Sequence, residues 1–353
     1  MNTLQLLTGK RGLGHFARAR ELRRLLQSEY PDGEHRVAAT TSLAKLYPGD
    51  VPSHYDLLPD DRSGAGRTIV DLVSTVQPGL LLVDNRPEGP SDAMTQRVLR
   101  RIRVLTPSCL VVLATRDVLD SAQVMRNAWA APTIRRLLAG YDAVWCFGSS
   151  ELYDIGSEYR IDRDVRYLGY LAAEASPCVC TDCRVDVTVT AGGGQDAHWM
   201  LPVLRALREC IGFGGVRAIL GPHSPDLVQQ RIWAMRADGL TVTRATRGLL
   251  DVEACGHTVI GMGGYNTVAE TLRSGRSLVA VPRNQPTMEQ RIRVSMLVDA
   301  ELAHQIPSSQ LCDVSSSRII EDALAWAQRP RPRSDALQFA DGMAIRQAVA
   351  AVG

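Results

Sequence analysis

Three glycine-rich stretches stand directly behind apolar runs: TGKRGLGH (8–15), TAGGGQDAH (190–198) and GMGGYNT (261–267). A strand that ends in small residues and opens a helix aims backbone N–H groups and the positive end of the helix dipole at one place. That arrangement suits an anion such as phosphate. Gly192, Gly193 and Gly194 with Gln195, and Met262 with Gly263 and Gly264, are therefore candidate phosphate contacts. None of the three turns spells G-x-x-x-x-G-K-[ST], which argues against a P-loop triphosphatase. None gives G-x-G-x-x-G with an acidic residue at the next strand end, so a dinucleotide site has little support. Such turns occur in any doubly wound domain, but two in one half of the chain favour a bound nucleotide diphosphate there.

His15, in Gly12-Leu13-Gly14-His15, carries a group able to take a proton near neutrality. Its structural alternative is to cap or pack the first helix. Asp84 and Asp117 each fall just beyond a predicted strand end and could orient His15, or cap the helix that follows. Glu270 has two readings as well. Thr267-Val-Ala-Glu270 has the spacing of a capping box, with Asn266 and Thr267 both good caps. The other reading is a carboxylate that accepts hydrogen bonds from ribose hydroxyls. Asp162-Arg163-Asp164 spells the D-x-D of metal-dependent sugar transferases, but it precedes a polar stretch and reads as a solvated turn. His198, His223 and His257 lack the mutual spacing of metal ligands, so no metal site is expected.

Apolar runs alternate with amphipathic ones almost throughout, the pattern of parallel sheets covered by helices. The first half offers TLQLLTG, HRVAATT, GLLLVD, CLVVLAT and DAVWCF as strands, with HFARARELRRLLQ and AMTQRVLRRIRVL as helices. The second offers VDVTVTAGG, VRAILGP, LTVTRA, HTVIGMGG and SLVAVPR. The expected division is a domain over 1–170, a linker over 171–184, a second domain over 185–330 and a tail helix within 331–353. Two α/β halves with ligands outside the carboxyl ends of their strands would make a cleft with one ligand on each side.

A chain of 353 residues can build two cores, and a formal charge of +2 lacks the basic excess of a nucleic-acid binder. Only Lys10 and Lys45 are lysines. The opening MNTLQLLTGK lacks the basic start, long apolar segment and cleavage site of a signal peptide. No apolar run approaches the roughly 20 residues of a membrane span, so a cytoplasmic location is expected. Of eight cysteines, Cys178, Cys180 and Cys183 cluster within the linker. A closed zinc site would need a fourth ligand.

The order GLGH, GGG, MGGYNTVAETLRSGRSLVAVPR and MEQRIR resembles the GT-B glycosyltransferases, and among them the MurG-like branch. The resemblance runs over the whole chain and is most specific in 259–293; LATRDVLD (113–120) resembles a further segment of those relatives. It implies two facing Rossmann-like, doubly wound α/β domains, with an acceptor on the N-terminal half and a nucleotide-diphosphate sugar, such as a UDP-sugar, on the C-terminal half. It implies that His15 is the base and that the glycine turns cradle the diphosphate. It further implies that Glu270 holds the ribose and that Glu289 and Gln290 read the sugar hydroxyls, although PTMEQ departs from the family's usual acidic-Gln spelling. Gly14, Asp84 and Arg116 become acceptor contacts, and Asp117 with Arg116 is placed ahead of Asp84 as the partner of the base. Arg283, immediately after the strand SLVAVP, is a further candidate for a sugar or phosphate contact.

The expected activity is inverting, metal-independent transfer to a small-molecule hydroxyl or amine, with no cofactor beyond the sugar donor. No exposed-looking apolar patch argues for a lipid-linked acceptor, so the expected setting is natural-product biosynthesis, antibiotics included. A homodimer is compatible with this. An epimerase or hydrolase of the same two-domain fold, or a non-catalytic nucleotide-sugar binder, are the alternatives.

Overall fold

The computed structural model describes residues 1–9, 14–47, 50–173, 186–245, 256–283, 285–312, 316–329 and 335–352. Most of the expected linker, with the 178–183 cysteine cluster, lies outside them. The chain divides into two compact units: Met1–Leu171 together with Ala336–Gly353, and Ala172–Asp335.

The first unit begins with β1 (Thr3–Leu6), α1 (Gly14–Glu29), β2 (His35–Thr40), α2 (Thr41–Ala44) and β3 (Tyr55–Leu58). It continues with α3 (Arg62–Val76), β4 (Leu80–Asp84), α4 (Gln96–Leu105) and β5 (Leu110–Arg116). Then come α5 (Ala122–Ala130), α6 (Pro132–Leu138), β6 (Ala143–Phe147), α7 (Ile155–Tyr159) and β7 (Val165–Tyr167). The second unit runs β8 (Val187–Thr190), α8 (Met200–Ile211), β9 (Val216–Leu220), α9 (Asp226–Ala234) and β10 (Thr241–Arg244). It ends with β11 (Thr258–Gly261), α10 (Tyr265–Arg273), β12 (Ser277–Ala280), α11 (Glu289–Asp299), β13 (Ala303–Gln305) and α12 (Ser316–Ala327). Helix α13 (Gly342–Ala350) belongs again to the first unit.

The ten strands expected from the sequence all form. Three more were not expected: YDLL (β3), VRY (β7) and AHQ (β13), all short and placed at sheet edges or ends.

The first sheet has the order β3-β2-β1-β4-β5-β6-β7 and the second β10-β9-β8-β11-β12-β13, and every pairing is parallel. Both follow the 3-2-1-4-5-6 pattern of doubly wound Rossmann folds, and the order reverses between the first and fourth strands of each half. Helices cover both faces, so central strands such as β1, β8, β11 and β12 are buried at every residue. That is why their sequences are continuously apolar rather than alternating.

Local sequence sets the helices. Asp61 caps α3 by accepting the Gly64 N–H at 2.7 Å, and Thr95 caps α4. On α4, Leu99 and Ile102 enter the core while Arg100 and Arg101 stay outside. On α1, Phe16, Ala19, Leu22 and Leu26 recur at helical spacing and are all buried. Helix α13 packs on α1, where Arg346 pairs with Glu29 at 2.7 Å, and Arg166 of β7 donates to the Ala348 carbonyl at 2.9 Å.

Cys109 and Cys146 are buried, free thiols among core side chains. Burial pushes the Cys109 thiol up to about 11 and that of Cys146 well above its ordinary value, so both act as small hydrophobes. No helix among the described residues is long and apolar enough to cross a membrane.

Candidate active site

Each sheet has functional-type residues at the carboxyl ends of the strands beside its order reversal, the place where open α/β sheets bind ligands. In the first unit these strands are β1 and β4. The chain leaves β1 through Leu7, Thr8 and Gly9, and α1 opens with Gly14 and His15. Residues 10–13 lie outside the described residues. Asp84 is the last residue of β4, and its backbone carbonyl accepts the Thr8 hydroxyl, tying the ends of the two strands together.

His15 Nδ1 lies 2.5 Å from Asp84 Oδ2. Arg18, one turn further along α1, places Nη2 3.1 Å from Asp84 Oδ1 and 3.1 Å from His15 Nδ1. All three side chains are largely buried, at 16% exposure for His15, 14% for Asp84 and 7% for Arg18. Burial alone would raise the Asp84 carboxyl. The Arg18 charge, the imidazole and their hydrogen bonds outweigh it and hold the group at about 2. An ionised carboxylate can only accept, so Nδ1 carries the ring proton and Nε2 keeps the lone pair. Burial, the dominant effect, pulls the His15 pKa below 6.5. The Asp84 charge opposes this, while the charges of Arg18 and Arg116 reinforce it. His15 is a neutral imidazole at neutral pH, oriented through Nδ1, with Nε2 available as a base.

Gly9 explains part of this geometry. At φ +152° it brings its backbone against the ring, and a Cβ there would stand 2.5 Å from His15 Nε2. No other residue leaves the imidazole in place.

The expected ranking of the carboxylates is corrected here. Asp84, not Asp117, is the partner of His15. Asp117 follows β5, is 1% exposed, and accepts from the Val118 N–H at 2.7 Å and the Tyr170 hydroxyl at 3.3 Å. Arg116 ends β5 and contributes to the charge around His15. Arg18 was not singled out from the sequence, where it sits among Arg20, Arg23 and Arg24 and reads as part of a solvated face. The available signal was its spacing: Arg18 shares the helix face of Leu22 and Leu25, which point inward.

In the second unit, Gly192–Gly194 follow β8, Gly221–Ser224 follow β9, Met262–Gly264 follow β11 and Arg283 follows β12. Gly192 and Gly194 adopt φ +60° and +93°, and the Gly192 N–H is held by Thr190 Oγ1 at 3.1 Å. The turn is stitched to its neighbour by the His223 N–H donating to the Gly193 carbonyl at 3.0 Å. A Cβ on Gly221 would fall 2.2 Å from the Gly192 carbonyl oxygen, and one on Gly193 would meet nothing. The first helix does not start at this turn, as the sequence suggested. A three-residue 3-10 turn, Ala197–Trp199, intervenes before α8. Gln195 and Asp196 are exposed, and Asp196 forms an ion pair with Arg283.

The β11 turn is built from the opposite side. Gly263, at φ +76°, lies against α11, where a Cβ would stand 2.4 Å from Val294 Cγ2. Arg293 of α11 is fully buried, donates to the Gly263 carbonyl at 3.1 Å and pairs with Glu289 at 3.2 Å. Its guanidinium also stands 5.7 Å from the centre of the Tyr265 ring. Gln290 Oε1 accepts the Arg283 N–H at 3.3 Å. Glu289 thus braces the β11 turn through Arg293, while Gln290 holds the segment after β12, and each is 7% exposed.

The capping-box alternative for Glu270 is excluded. The N-cap of α10 is Gly264, so Asn266 and Thr267 lie inside the helix and Glu270 in its second turn. Its side chain is 8% exposed. Of the remaining candidates, His198 and His257 are exposed, and Asp162-Arg163-Asp164 forms an exposed bend in which Asp164 pairs with Arg166 at 2.8 Å. Among the described residues no group of three or more His, Cys, Asp or Glu is placed to hold a metal ion.

Two Rossmann-like sheets, each with polar groups and glycine turns at its order reversal, define a two-unit, doubly wound α/β architecture. Comparison with solved structures makes it specific: the chain has the GT-B fold. MurG from Acinetobacter baumannii matches with a TM-score of 0.56 at 15% identity, over 100% of this chain and 99% of that one. The calicheamicin glycosyltransferase CalG4 matches with a TM-score of 0.59 at 11% identity, over 99% and 94%. The UDP-GlcNAc 2-epimerase from Neisseria meningitidis, bound to UDP-GlcNAc, matches with a TM-score of 0.59 at 12% identity, over 99% and 100%. At these identities the likeness is one of fold. No family model and no curated protein sequence matches the chain.

Proposed function

We propose that this protein is a glycosyltransferase that moves a sugar from a nucleotide diphosphate to a small-molecule hydroxyl or amine, with inversion. The observation that carries this reading is the His15–Asp84 pair, which holds a neutral imidazole with Nε2 as its basic atom. In such a transfer the acceptor oxygen or nitrogen attacks the anomeric carbon, Nε2 takes its proton, and the sugar–phosphate bond breaks with its electron pair leaving on the diphosphate. The first unit supplies the base and the acceptor contacts, with Gly14, Asp84, Arg116 and Asp117 around it. The second holds the donor: the turns at Gly192–Gly194 and Met262–Gly264 offer backbone N–H groups to the diphosphate, and Glu270 accepts from the ribose. Those donors serve in place of a metal ion, and the acceptor is a soluble compound of the natural-product kind.

The test begins with binding. UDP, TDP and GDP sugars are screened by thermal shift, where a ligand at a hundred times its Kd adds about 2.7 kcal/mol. With the donor found, His15→Ala is expected to keep donor affinity and lose transfer by about a hundredfold or more. Full turnover in His15→Ala overturns the assignment of the base. Unchanged donor affinity in Glu270→Gln removes the ribose contact.

The fold likeness to an epimerase supports a second reading, in which the same chain epimerises or hydrolyses the donor. Donor incubated alone separates the two, since only the second reading yields free nucleotide or an epimer without an acceptor.

A further inference from the structure

The layer between α1 and the first sheet contains a polar group that the dyad alone does not explain. In β1, Leu4 and Leu6 enter the core on one side of the sheet, while Gln5 points to the other, beneath α1. Gln5 is 3% exposed, and its Nε2 has no hydrogen-bond partner among the described residues. A buried amide left so is costly, and such groups are normally satisfied by protein or by ordered water. Beside it lies a cavity of 20 Å³ whose lining includes Gln5, Arg18, Asp84 and Thr115, with Leu22 and Leu82. That is room for one water, which needs about 10–15 Å³ of such space and two to four polar partners.

We propose that Gln5 is a positioning residue for the His15–Asp84 pair, acting through a single water held in this cavity. The water accepts from Gln5 Nε2 and donates to the Asp84 carboxylate. Asp84 thereby gains a third hold, from below, beside Arg18 and His15. The inference rests on the reading of His15 as the base, but the device itself exists whether or not the protein transfers sugars. Its test therefore uses neither donor nor acceptor.

Two measurements on the full chain decide it. A crystal structure of the wild type is expected to show an ordered solvent peak within hydrogen-bond reach of Gln5 Nε2 and an Asp84 oxygen. The His15 titration midpoint, followed by NMR, is then compared in wild type, Gln5→Met and Gln5→Asn. Methionine keeps the volume and removes the donor, so the carboxylate is less well solvated and draws the imidazolium more strongly. The midpoint should rise by about half a pH unit or more, and Gln5→Asn should restore most of it. The charges facing His15, Arg18 on its own helix, Asp84 on β4 and Arg116 on β5, are common to all three proteins, so the difference reports the water. A dry cavity overturns the proposal, as does a Gln5→Met protein with an unmoved midpoint. A raised melting temperature in Gln5→Met does so too, since it would mean that an orphan amide had simply been relieved. Should Gln5→Met fail to fold, the solvent peak in the wild type decides alone.

Discussion

Asp84→Asn tests the centre of the first unit most directly. The carboxyl sits at about 2 against a usual 3.8, which corresponds to about 2 kcal/mol of folding free energy at neutral pH. The substitution also strips the carboxylate from Arg18, which is 7% exposed, and breaking a buried pair costs about 3–5 kcal/mol. These overlap, since Arg18 is the main cause of the depressed value, so the expected loss is about 3 kcal/mol at pH 7. A carboxyl with a depressed pKa gives its full stabilisation above the unfolded value and surrenders it as pH falls through the folded one. The gap between wild type and Asp84→Asn must then narrow between pH values of about 4 and about 2. His15, held below 6.5 by burial, costs stability as pH falls below that value, and costs more in Asp84→Asn, which lacks the carboxylate that raises its pKa. The gap therefore first widens through the histidine range and narrows only as Asp84 itself takes a proton. Urea denaturation followed through methyl NMR signals of Leu4, Leu81 and Leu82 reads the first unit alone. A gap that stays constant from neutral pH down to about 2, or one below about 1 kcal/mol at pH 7, refutes the reasoning.

Gly9→Ala puts a methyl 2.5 Å from His15 Nε2, so the ring must move. Turnover should fall about a hundredfold with donor affinity unchanged, and steady-state kinetics with a binding titration check both. Gly263→Ala combines φ +76° with a clash at Val294, and should destabilise the second unit by about 1–3 kcal/mol in urea and weaken nucleotide binding. Arg293→Met takes the guanidinium away from buried Glu289 and from the Gly263 carbonyl. It should cost about 3 kcal/mol, read from the melting temperature of the second unit. If the diphosphate is held by backbone and side-chain donors alone, EDTA leaves transfer intact; activity that vanishes with EDTA and returns with Mn²⁺ counts against it.

Much of the fold was legible because central parallel strands covered on both faces are largely apolar, and ten strand candidates stand out in the sequence. The strands at β3, β7 and β13 escaped for the same reason in reverse: Asp56, Arg166 and His304 interrupt short segments that are less buried. The site was legible in its pieces and not in its pairings. His15 and Asp84 were both marked, but nothing in a one-dimensional spacing of 69 residues says that β1 and β4 are neighbours while β5 is one strand further off. Arg18 was invisible because its burial depends on that same neighbour. The capping alternative for Glu270 failed locally, since Gly264, which offers no side-chain cap, starts the helix ahead of two better capping residues. The tightness of the β11 turn follows from α11 packing behind Gly263, a contact that local turn chemistry does not contain.

Helix α13 lies on α1, the helix that carries His15 and Arg18, yet it follows the entire second unit in the chain. During synthesis the second unit can close on itself while the outer side of α1 still waits for its cover. The cover of α1 thus emerges only after the whole second unit has been made. A ribosome stalled between the two would display a complete second unit beside a first unit that still lacks α13.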